Sequence, residues 1–225
     1  MSTQPLDWKP LKPPVATSVE GHFIRLEKLD PRRHSEDLWT VLQGEASDQH
    51  MWDFLPYGPF PERERFDIWL DGYATSNDPM GFCVVDLTTG QAQGILSLMS
   101  IVPAHGRLEI GHVAFGAVMQ RTPKGTEAIY LAGQLAFEQG YRRVEWKCDA
   151  ANERSKRAAQ RFGFSPEGVF RQHMVVKGHN RDTAWFAITD EEWPAIALAF
   201  QAWLAPENQV SGTQVKTLEQ LRTAH

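Results

Sequence analysis

The sequence predicts a mixed α/β (α+β) fold in which an antiparallel half is joined by one helix to a second half. The first observation is the order of the predicted elements, β-α-α-β-β-β-α-β-α-β-β-α. The second is that short turns separate the three consecutive middle strands, so these strands pair as antiparallel hairpins. The third is that a single helix connects this half to the next strand, as in a crossover connection.

The predicted elements begin with a strand of alternating residues, Phe23–Leu29. Asp30 followed by Pro31 is typical of an N-cap and a first helical position, so a helix begins there. Pro61 opens a second helix, in which apolar residues recur at helical spacing. The remaining predicted elements are, in chain order, strands Gly81–Leu87, Gly94–Val102 and Leu108–Phe115, a helix from about Lys124 to Gln139, strand Val144–Asp149, helix Asn152–Phe162, strands Phe164–Gln172 and Thr183–Thr189, and a final helix.

Three regions are predicted along the 225-residue chain. Residues 1–19 contain four prolines and are predicted to form an extended N-terminal arm. Residues 20–205 are predicted to form one folded domain, which is long enough to bury a sizeable core. Residues 206–225 are predominantly polar and are predicted to form a C-terminal tail.

The composition excludes several classes of protein. A net charge of −5 does not suit broad binding to a nucleic-acid backbone, which needs clustered Lys and Arg. No apolar run approaches the roughly 20 residues of a membrane helix, and the N-terminus lacks the apolar core of a signal peptide. Cys83 and Cys148 are not in CxxC pairs, and no His, Cys or Asp set has the spacing of metal ligands. We therefore expect a cytoplasmic protein without a metal ion, a membrane or a nucleic-acid partner.

A strand end, a loop and a helix N-terminus follow one another between His112 and Thr126. Free backbone N–H groups at a helix N-terminus bind phosphate, and the helix dipole adds to the attraction. Arg121 and Lys124 would add cationic donors. Taken alone, this segment is explained more simply as a loop with a structural role.

A second segment, Asp149 to Phe164, combines a strand end, a helix and a Gly-Phe exit into the next strand. Together the two segments resemble the GNAT superfamily of acyl-CoA-dependent N-acyltransferases, in particular the branch of the ribosomal-protein N-terminal acetyltransferases (acetyltransferase type 3). The resemblance covers about residues 20–195. The superfamily motif Q/R-x-x-G-x-G/A aligns with Gln120, Pro123 and Gly125, and the pattern N-x-x-S followed by G-F aligns with Asn152, Ser155 and Gly163-Phe164.

The resemblance implies a central mixed sheet of about seven strands, antiparallel in its first half, with helices on both faces. It also implies that acetyl-CoA, as co-substrate, lies between two splayed parallel strands, Leu108–Phe115 and Val144–Asp149. The residues implied to bind it are Phe115 through a nearby backbone N–H, Gln120, Arg121, Thr122, Lys124, Gly125, Thr126, Asn152, Ser155 and, at the 3′-phosphate, Arg157 or Arg161.

The implied reaction is transfer of an acetyl group to a primary amine of a small molecule or peptide. N-terminal acetylation of a ribosomal or other protein is one alternative, and a non-catalytic coenzyme A-binding module is another. Two departures from the family pattern favour the non-catalytic module. Pro123 lacks the N–H of the usual glycine, and Ala159 stands where many members have a tyrosine that protonates the thiolate. A monomer and a homodimer both fit the sequence.

Four residues are candidates for proton transfer. Ser155 shares a helix face with Asn152 and is the candidate that hydrogen-bonds or protonates the sulfur, although an early-helix serine can also satisfy backbone groups. The candidate bases are Glu109, His112 and His173, and a water relay without a dedicated base is the alternative. Because Glu109 and His112 are an odd number of residues apart, they point to opposite faces of a strand unless a bulge intervenes.

The acceptor amine is expected to meet Trp52, Asp53 and Tyr57, in a region between the first two helices that commonly lines the acceptor site in this superfamily. Asp53 would hold the ammonium group. The alternative is that these aromatic residues pack beneath a Pro-rich loop and contact no substrate.

Overall fold

The computed structural model describes residues 6–45, 47–210 and 213–223. Its helices are α1 (Pro31–Gln43), α2 (Arg63–Thr75), α3 (Pro123–Glu138), α4 (Glu153–Phe162), α5 (Trp193–Leu204) and α6 (Leu218–Arg222). Its strands are β1 (Val19–Glu20), β2 (Ile24–Lys28), β3 (Met80–Asp86), β4 (Ala92–Val102), β5 (Arg107–Phe115), β6 (Arg143–Asp149), β7 (Ser165–Val176), β8 (His179–Thr189), β9 (Gln209–Val210) and β10 (Thr213–Gln214).

Eight of these strands form one sheet in the order β1-β2-β3-β4-β5-β6-β8-β7. Neighbouring strands are antiparallel except β5 and β6. A mixed sheet with an antiparallel first half is therefore confirmed, whereas the predicted number of about seven strands was one too low. The additional strand, β1, has only 2 residues and lies where the arm meets the domain, so it is too short to show an alternating pattern.

The parallel strands β5 and β6 part soon after they meet. Their pairing ends where Glu109 stands opposite Glu145, after three residue pairs. β5 continues to Phe115 and β6 to Asp149, and α3 forms the crossover between them. The two strands therefore border a wedge-shaped gap, in the place where the sequence predicts a splayed pair.

Helices cover both faces of the sheet, as predicted. α1 and α2 pack on one face, here called the α1/α2 face, through a core that includes Phe66. α3 and α5 pack on the opposite face, in a core that includes Phe200. Leu108 and Ile110 belong to that opposite core, so Glu109, which lies between them in β5, points to the α1/α2 face.

The terminal segments lie against the domain. Residues 6–18 contain no helix or strand, and Trp8 Nε1 donates a hydrogen bond to the Ala104 carbonyl at the β4–β5 turn (2.8 Å). At the other end, Leu218 of α6 is 1% exposed and belongs to the core between α3 and α5. The polar C-terminal segment thus contributes an apolar side chain to the core. Residues 1–5 of the arm, and 211–212 and 224–225 of the tail, lie outside the described residues.

A buried carboxylate joins α3 to the start of β2. Glu127 is 0% exposed and accepts hydrogen bonds from the backbone N–H groups of His22 (2.6 Å), Phe23 (2.7 Å) and Ile24 (2.9 Å). A Cβ at Gly21 would lie 2.4 Å from the carboxyl carbon, so only glycine lets the chain pass there without displacing Glu127. The helix therefore supplies the acceptors that the strand needs at its first residues.

Replacing Glu127 with alanine is expected to lower the free energy of unfolding by about 3 kcal/mol, because three backbone N–H groups lose a charged acceptor. Urea unfolding followed by far-UV circular dichroism measures the change. Glu138→Ala, at an exposed position of the same helix, is the matched control and is expected to cost less than about 0.5 kcal/mol. Equal losses in the two variants would contradict the role assigned to Glu127.

Candidate active site

A bulge interrupts β5 at His112. His112 and Val113 both stand opposite Leu96, and His112 has a positive φ of 51°. The ring of His112 packs against Tyr73, which belongs to the core of the α1/α2 face. The extra residue of the bulge therefore brings His112 to the same face as Glu109, although a regular strand would place the two side chains on opposite faces.

His112 lies in a pocket of aromatic rings. The centroid of its ring is 5.3 Å from that of Tyr57 and 5.7 Å from that of Tyr73. Its Nδ1 is buried and has no hydrogen-bond partner within the described residues. Burial lowers the pKa of His112 to about 4, so the imidazole is neutral at pH 7.

Glu109 is 4% exposed and is held by charged and polar neighbours from two strands. The Lys147 ammonium of β6 lies 2.6 Å from its Oε2, and the Ser100 hydroxyl of β4 donates to the same oxygen (3.1 Å). Burial raises the pKa of the Glu109 carboxyl above its ordinary value, and the Lys147 charge opposes that rise. A carboxylate with a raised pKa on the side of the wedge is a suitable proton acceptor.

The N-terminus of α3 presents backbone N–H groups next to the wedge. The Thr122 side chain does not cap the helix; its hydroxyl donates to the Met119 carbonyl instead (2.8 Å). Pro123 occupies the first helical position and has no N–H, so Lys124 and Gly125 carry the free N–H groups of this turn. The exposed Arg121 precedes them with a left-handed φ of 60°. Gln120 donates through its amide to the Phe115 carbonyl (3.3 Å), which ties the loop to the end of β5.

Several of the predicted phosphate-binding side chains are engaged within the fold. The Lys124 ammonium lies 2.7 Å from Asp86, a buried carboxylate at the end of β3. The sequence predicts that this ammonium reaches a phosphate at the helix terminus, but in the structure it is turned to Asp86 instead. The Thr126 hydroxyl accepts a hydrogen bond from Arg161 (3.0 Å), whose guanidinium also lies 5.1 Å from the centre of the Trp203 ring. Among the cations predicted at this end, Arg121 and Arg157 are exposed.

Asn152 and Ser155 stand at the start of α4, where β6 ends. Asn152 Oδ1 accepts a hydrogen bond from the Ser155 N–H (3.0 Å), so Asn152 is the N-cap of this helix. Ser155 Oγ accepts a hydrogen bond from Trp146 Nε1 (2.9 Å). Because the indole supplies this proton, the serine hydroxyl keeps its own proton for donation to a further group.

The three predicted acceptor-site residues have different surroundings. Trp52 is 0% exposed and packs among the aromatic residues of the α1/α2 face, as the packing alternative expected. Tyr57 contacts His112, and Asp53 is exposed at a cavity of about 130 Å³ between its loop and the β7–β8 hairpin. Lys177, at the tip of that hairpin, donates to the carbonyls of Trp52 (2.8 Å) and Gly58 (2.9 Å), so the hairpin is fastened to the loop.

His173 lies farther from Glu109 than His112 does along the sheet. It is exposed on β7, and its Nδ1 lies 2.9 Å from the Thr183 hydroxyl, beside an open groove of about 930 Å³. The Trp185 ring stands between it and Lys147: its centroid is 6.0 Å from that of His173 and 4.6 Å from the Lys147 ammonium. The structure therefore places Glu109 and His112 on the same face of β5 and leaves His173 on the outer strand, β7.

Lys147, Ser100 and Trp185 are neighbours of the candidate site that the sequence reasoning missed. Lys147 could have been found from the sequence. It lies two residues from Glu145 in a predicted strand, so alternation places these two charged side chains on the same face of that strand. Ser100 has no such signal, since its position beside Glu109 depends on an irregularity of β4 between Met99 and Val102.

Within the described residues, no group of three or more His, Cys, Asp or Glu side chains is arranged to hold a metal ion. In the same part of the chain, no helix is both long enough and apolar enough to cross a membrane.

Replacing Lys124 with methionine is expected to lower the free energy of unfolding at pH 7 by about 3 kcal/mol, because Asp86 stays buried without its counter-ion. In the wild type, Lys124 and hydrogen bonds hold the pKa of Asp86 below its ordinary value against the effect of burial. Its stabilising contribution is therefore present at neutral pH and is lost as the pH falls through that lowered pKa. The variant is expected to lose less stability on acidification.

Urea unfolding at pH 7 and at about pH 3, below the ordinary pKa of an aspartate, measures both effects. Lys28→Met, at an exposed position of β2, is the control and is expected to change neither. A Lys124→Met variant as stable as the control would show that Asp86 does not depend on this ammonium.

Comparison with known proteins gives a consistent result. The family model of the acetyltransferase (GNAT) domain matches residues 25–165, more than half of the chain. A crystal structure of a GCN5-related N-acetyltransferase from Brucella melitensis is 45% identical, with a TM-score of 0.93 over 96% of this chain and 99% of that one. A protein from Chromobacterium violaceum ATCC 12472 described as a GNAT-family acetyltransferase is 40% identical, with a TM-score of 0.80 over 86% of this chain and 98% of that one. A comparison with curated proteins gave no significant match.

Proposed function

Because the chain belongs to the GNAT acetyltransferase family, we propose that it transfers an acetyl group from acetyl-CoA to a primary amine of a small molecule or peptide. The observation that carries this proposal is the wedge between β5 and β6, whose pairing ends after three residue pairs. The N-terminus of α3 follows the end of β5, and Ser155, near the N-terminus of α4, follows the end of β6. A phosphate group and a thioester of one extended molecule would therefore each meet suitable donors.

The cofactor would be held mainly by backbone groups. The N–H groups of Lys124 and Gly125 would bind the pyrophosphate, and the exposed Arg121 would add a charged donor. The β5 backbone beyond Glu109 has no ladder with β6, so N–H groups that point into the wedge up to Phe115 would bond to the amide-bearing arm and to the acetyl oxygen. Arg157 would reach the 3′-phosphate from the exposed surface of α4.

Proton transfer would be divided between two side chains. Acetyl-CoA supplies the activated acetyl thioester. Ser155 would donate its hydroxyl proton towards the sulfur, since Trp146 fixes the orientation of its Oγ. Glu109 is the better base, because its pKa is raised by burial towards neutral pH, whereas the pKa of His112 is lowered to about 4. His112 and Tyr57 would line the acceptor side as neutral groups.

Acetylation of a protein N-terminus is the alternative acceptor class. The open groove of about 930 Å³ along β7, which includes Phe170 and His173, supports it because an extended peptide would need such a surface beyond the site itself. A non-catalytic coenzyme A-binding module is the other alternative. It is supported by Pro123, which offers no N–H, and by Ala159, which is buried and offers no proton.

A free-thiol release assay with acetyl-CoA tests the reaction across amino acids, dipeptides, peptides with different N-terminal residues, polyamines and aminoglycosides. Release of coenzyme A that depends on an added amine is the expected result, and mass spectrometry of the product identifies the acetylated nitrogen. Calorimetry with coenzyme A is the accompanying measurement. Binding without transfer to any amine would support the non-catalytic alternative, and no binding would end the proposal.

Replacing Ser155 with alanine is expected to lower kcat by about 10- to 100-fold, because the leaving sulfur loses its hydrogen-bond donor. The KM for acetyl-CoA is expected to change by less than about threefold, since the backbone contacts remain. Ser165→Ala, at an exposed position of β7, is the matched control. An unchanged kcat in Ser155→Ala would remove this residue from the mechanism and leave the proposed reaction intact.

We propose that the protein is cytoplasmic, because both of its cysteines are free thiols. Cys83 and Cys148 are both buried and free in the fold. Burial raises the pKa of both thiols, which keeps them protonated and unreactive. A protein with two separate thiols and no disulfide suits a reducing compartment.

A further inference from the structure

The Glu109 carboxylate is anchored through only one of its two oxygens. Lys147 Nζ lies 2.6 Å from Oε2, and Ser100 Oγ donates to Oε2 as well (3.1 Å). Oε1 has no hydrogen-bond partner within the described residues. The position of a Cβ on Gly111 would be 3.4 Å from Oε1, so this oxygen points along β5 towards the residue that precedes the bulge.

Gly111 keeps the space beside Oε1 free. A Cβ there would meet the Met99 sulfur at 2.5 Å as well as Oε1. The next residue is His112, where β5 bulges and where the strand has already parted from β6. The free oxygen of Glu109 is thus directed to the part of the wedge in which an acceptor amine would approach the acetyl group.

Ser100 is held in place by an aspartate. Ser100 has a left-handed φ of 49°, which a non-glycine residue adopts only when its surroundings support it. Asp78 provides that support, because its two carboxylate oxygens accept the backbone N–H groups of Ser100 (2.8 Å) and Ile101 (3.0 Å). The hydroxyl that reaches Glu109 is therefore part of a fixed loop.

Lys147 is held in place by a ring. Its ammonium lies 4.6 Å from the centre of the Trp185 ring of β8, within the range of a cation–π contact, and 3.4 Å from Ser100 Oγ. Lys147 lies two residues beyond Glu145, the last residue of β6 that pairs with β5, so it stands just past the point where the two strands part. It is the cation in direct contact with Glu109 among the described residues.

We propose that Lys147 is a positioning residue: it fixes Oε2 of Glu109, keeps the carboxylate charged, and leaves Oε1 as the atom that accepts the proton of the acceptor amine. This inference rests on the proposed function. A carboxylate buried without a counter-charge takes up a proton and then has no basic oxygen to offer. Lys147 prevents this without occupying Oε1.

The other ionisable groups on this face act on the same carboxylate more weakly. Glu145 raises the pKa of Glu109, and its own charge is balanced by two arginines. Asp78 is engaged with the backbone of β4, and His112 is neutral at pH 7. Ionisable groups on the elements around Glu109 include Arg107 and His112 on β5, Arg143, Glu145 and Lys147 on β6, Asp78 before β3, and Tyr73 on α2.

The test is the pH dependence of kcat/KM for the amine, measured for Lys147→Met with the full-length protein. Loss of the ammonium is expected to move the acid limb of the profile up by about 1 pH unit or more, with about tenfold lower kcat/KM at pH values below the wild-type limb. Lys147→Arg is expected to restore the wild-type limb because it keeps the charge. Lys156→Met, which breaks an ion pair with the exposed Glu153 on α4, is the matched control and is expected to leave the limb unchanged.

An acid limb that stays at its wild-type position in an active Lys147→Met variant would overturn the inference. Thermal unfolding shows whether the variants are folded. If Lys147→Met does not fold, Ser100→Ala replaces it: loss of the hydroxyl at Oε2 is expected to move the limb in the same direction, and an unmoved limb would contradict the inference.

A second readout does not depend on turnover. The carboxyl carbon of Glu109 can be followed by ¹³C NMR in glutamate-labelled protein and assigned with Glu109→Gln. Its titration is expected at higher pH in Lys147→Met than in the wild type. Absence of amine-dependent thiol release in the wild type would contradict the proposed function. Equal titrations of Glu109 in the two proteins would contradict the role of Lys147, so the two failures are distinguishable.

Discussion

The separation of β5 from β6 is the constraint on which the rest of the site depends. Two parallel strands inside a sheet normally satisfy each other's backbone groups along their whole length, and unsatisfied groups there are costly. Here the ladder stops after three residue pairs, although both strands continue. The sheet keeps this gap because neighbouring elements hold each strand separately: β4 pairs with β5 on one side, and β8 pairs with β6 along its full length on the other.

Irregularities of the strands next to the gap decide which side chains face it. β4 departs from regular pairing around Ser100 and β5 at His112, and both residues have positive φ values, of 49° and 51°. Each irregularity turns side chains that simple alternation would separate towards a common face. Glu109, Ser100 and His112 therefore lie on the α1/α2 face, and this arrangement is a property of two bulges rather than of any sequence spacing.

The sequence predicts the elements better than it predicts the contacts of the site. The helix expected from about Lys124 to Gln139 begins at Pro123 and ends at Glu138, because capping and periodicity are local signals. The positions of bulges have no such local signal. The sequence therefore predicts opposite faces for Glu109 and His112 and allows a shared face only if a bulge lies between them. The engagement of Lys124 by Asp86 was missed for a related reason: the partner lies 38 residues away and becomes a neighbour only in the folded sheet.

The distribution of charge also determines how a phosphate-bearing molecule can be bound. Lys124 and Arg161, which the sequence analysis named as phosphate ligands, are engaged with Asp86 and with Thr126 and Trp203, respectively. Under the proposed function, recognition at the α3 N-terminus would then fall to uncharged backbone N–H groups and to exposed arginines such as Arg121. Salt screens exposed charges and also weakens the attraction of an anion to a helix dipole, whereas contacts that are enclosed by the fold are screened much less. We therefore expect the part of the affinity that survives at high ionic strength to come from contacts enclosed in the wedge.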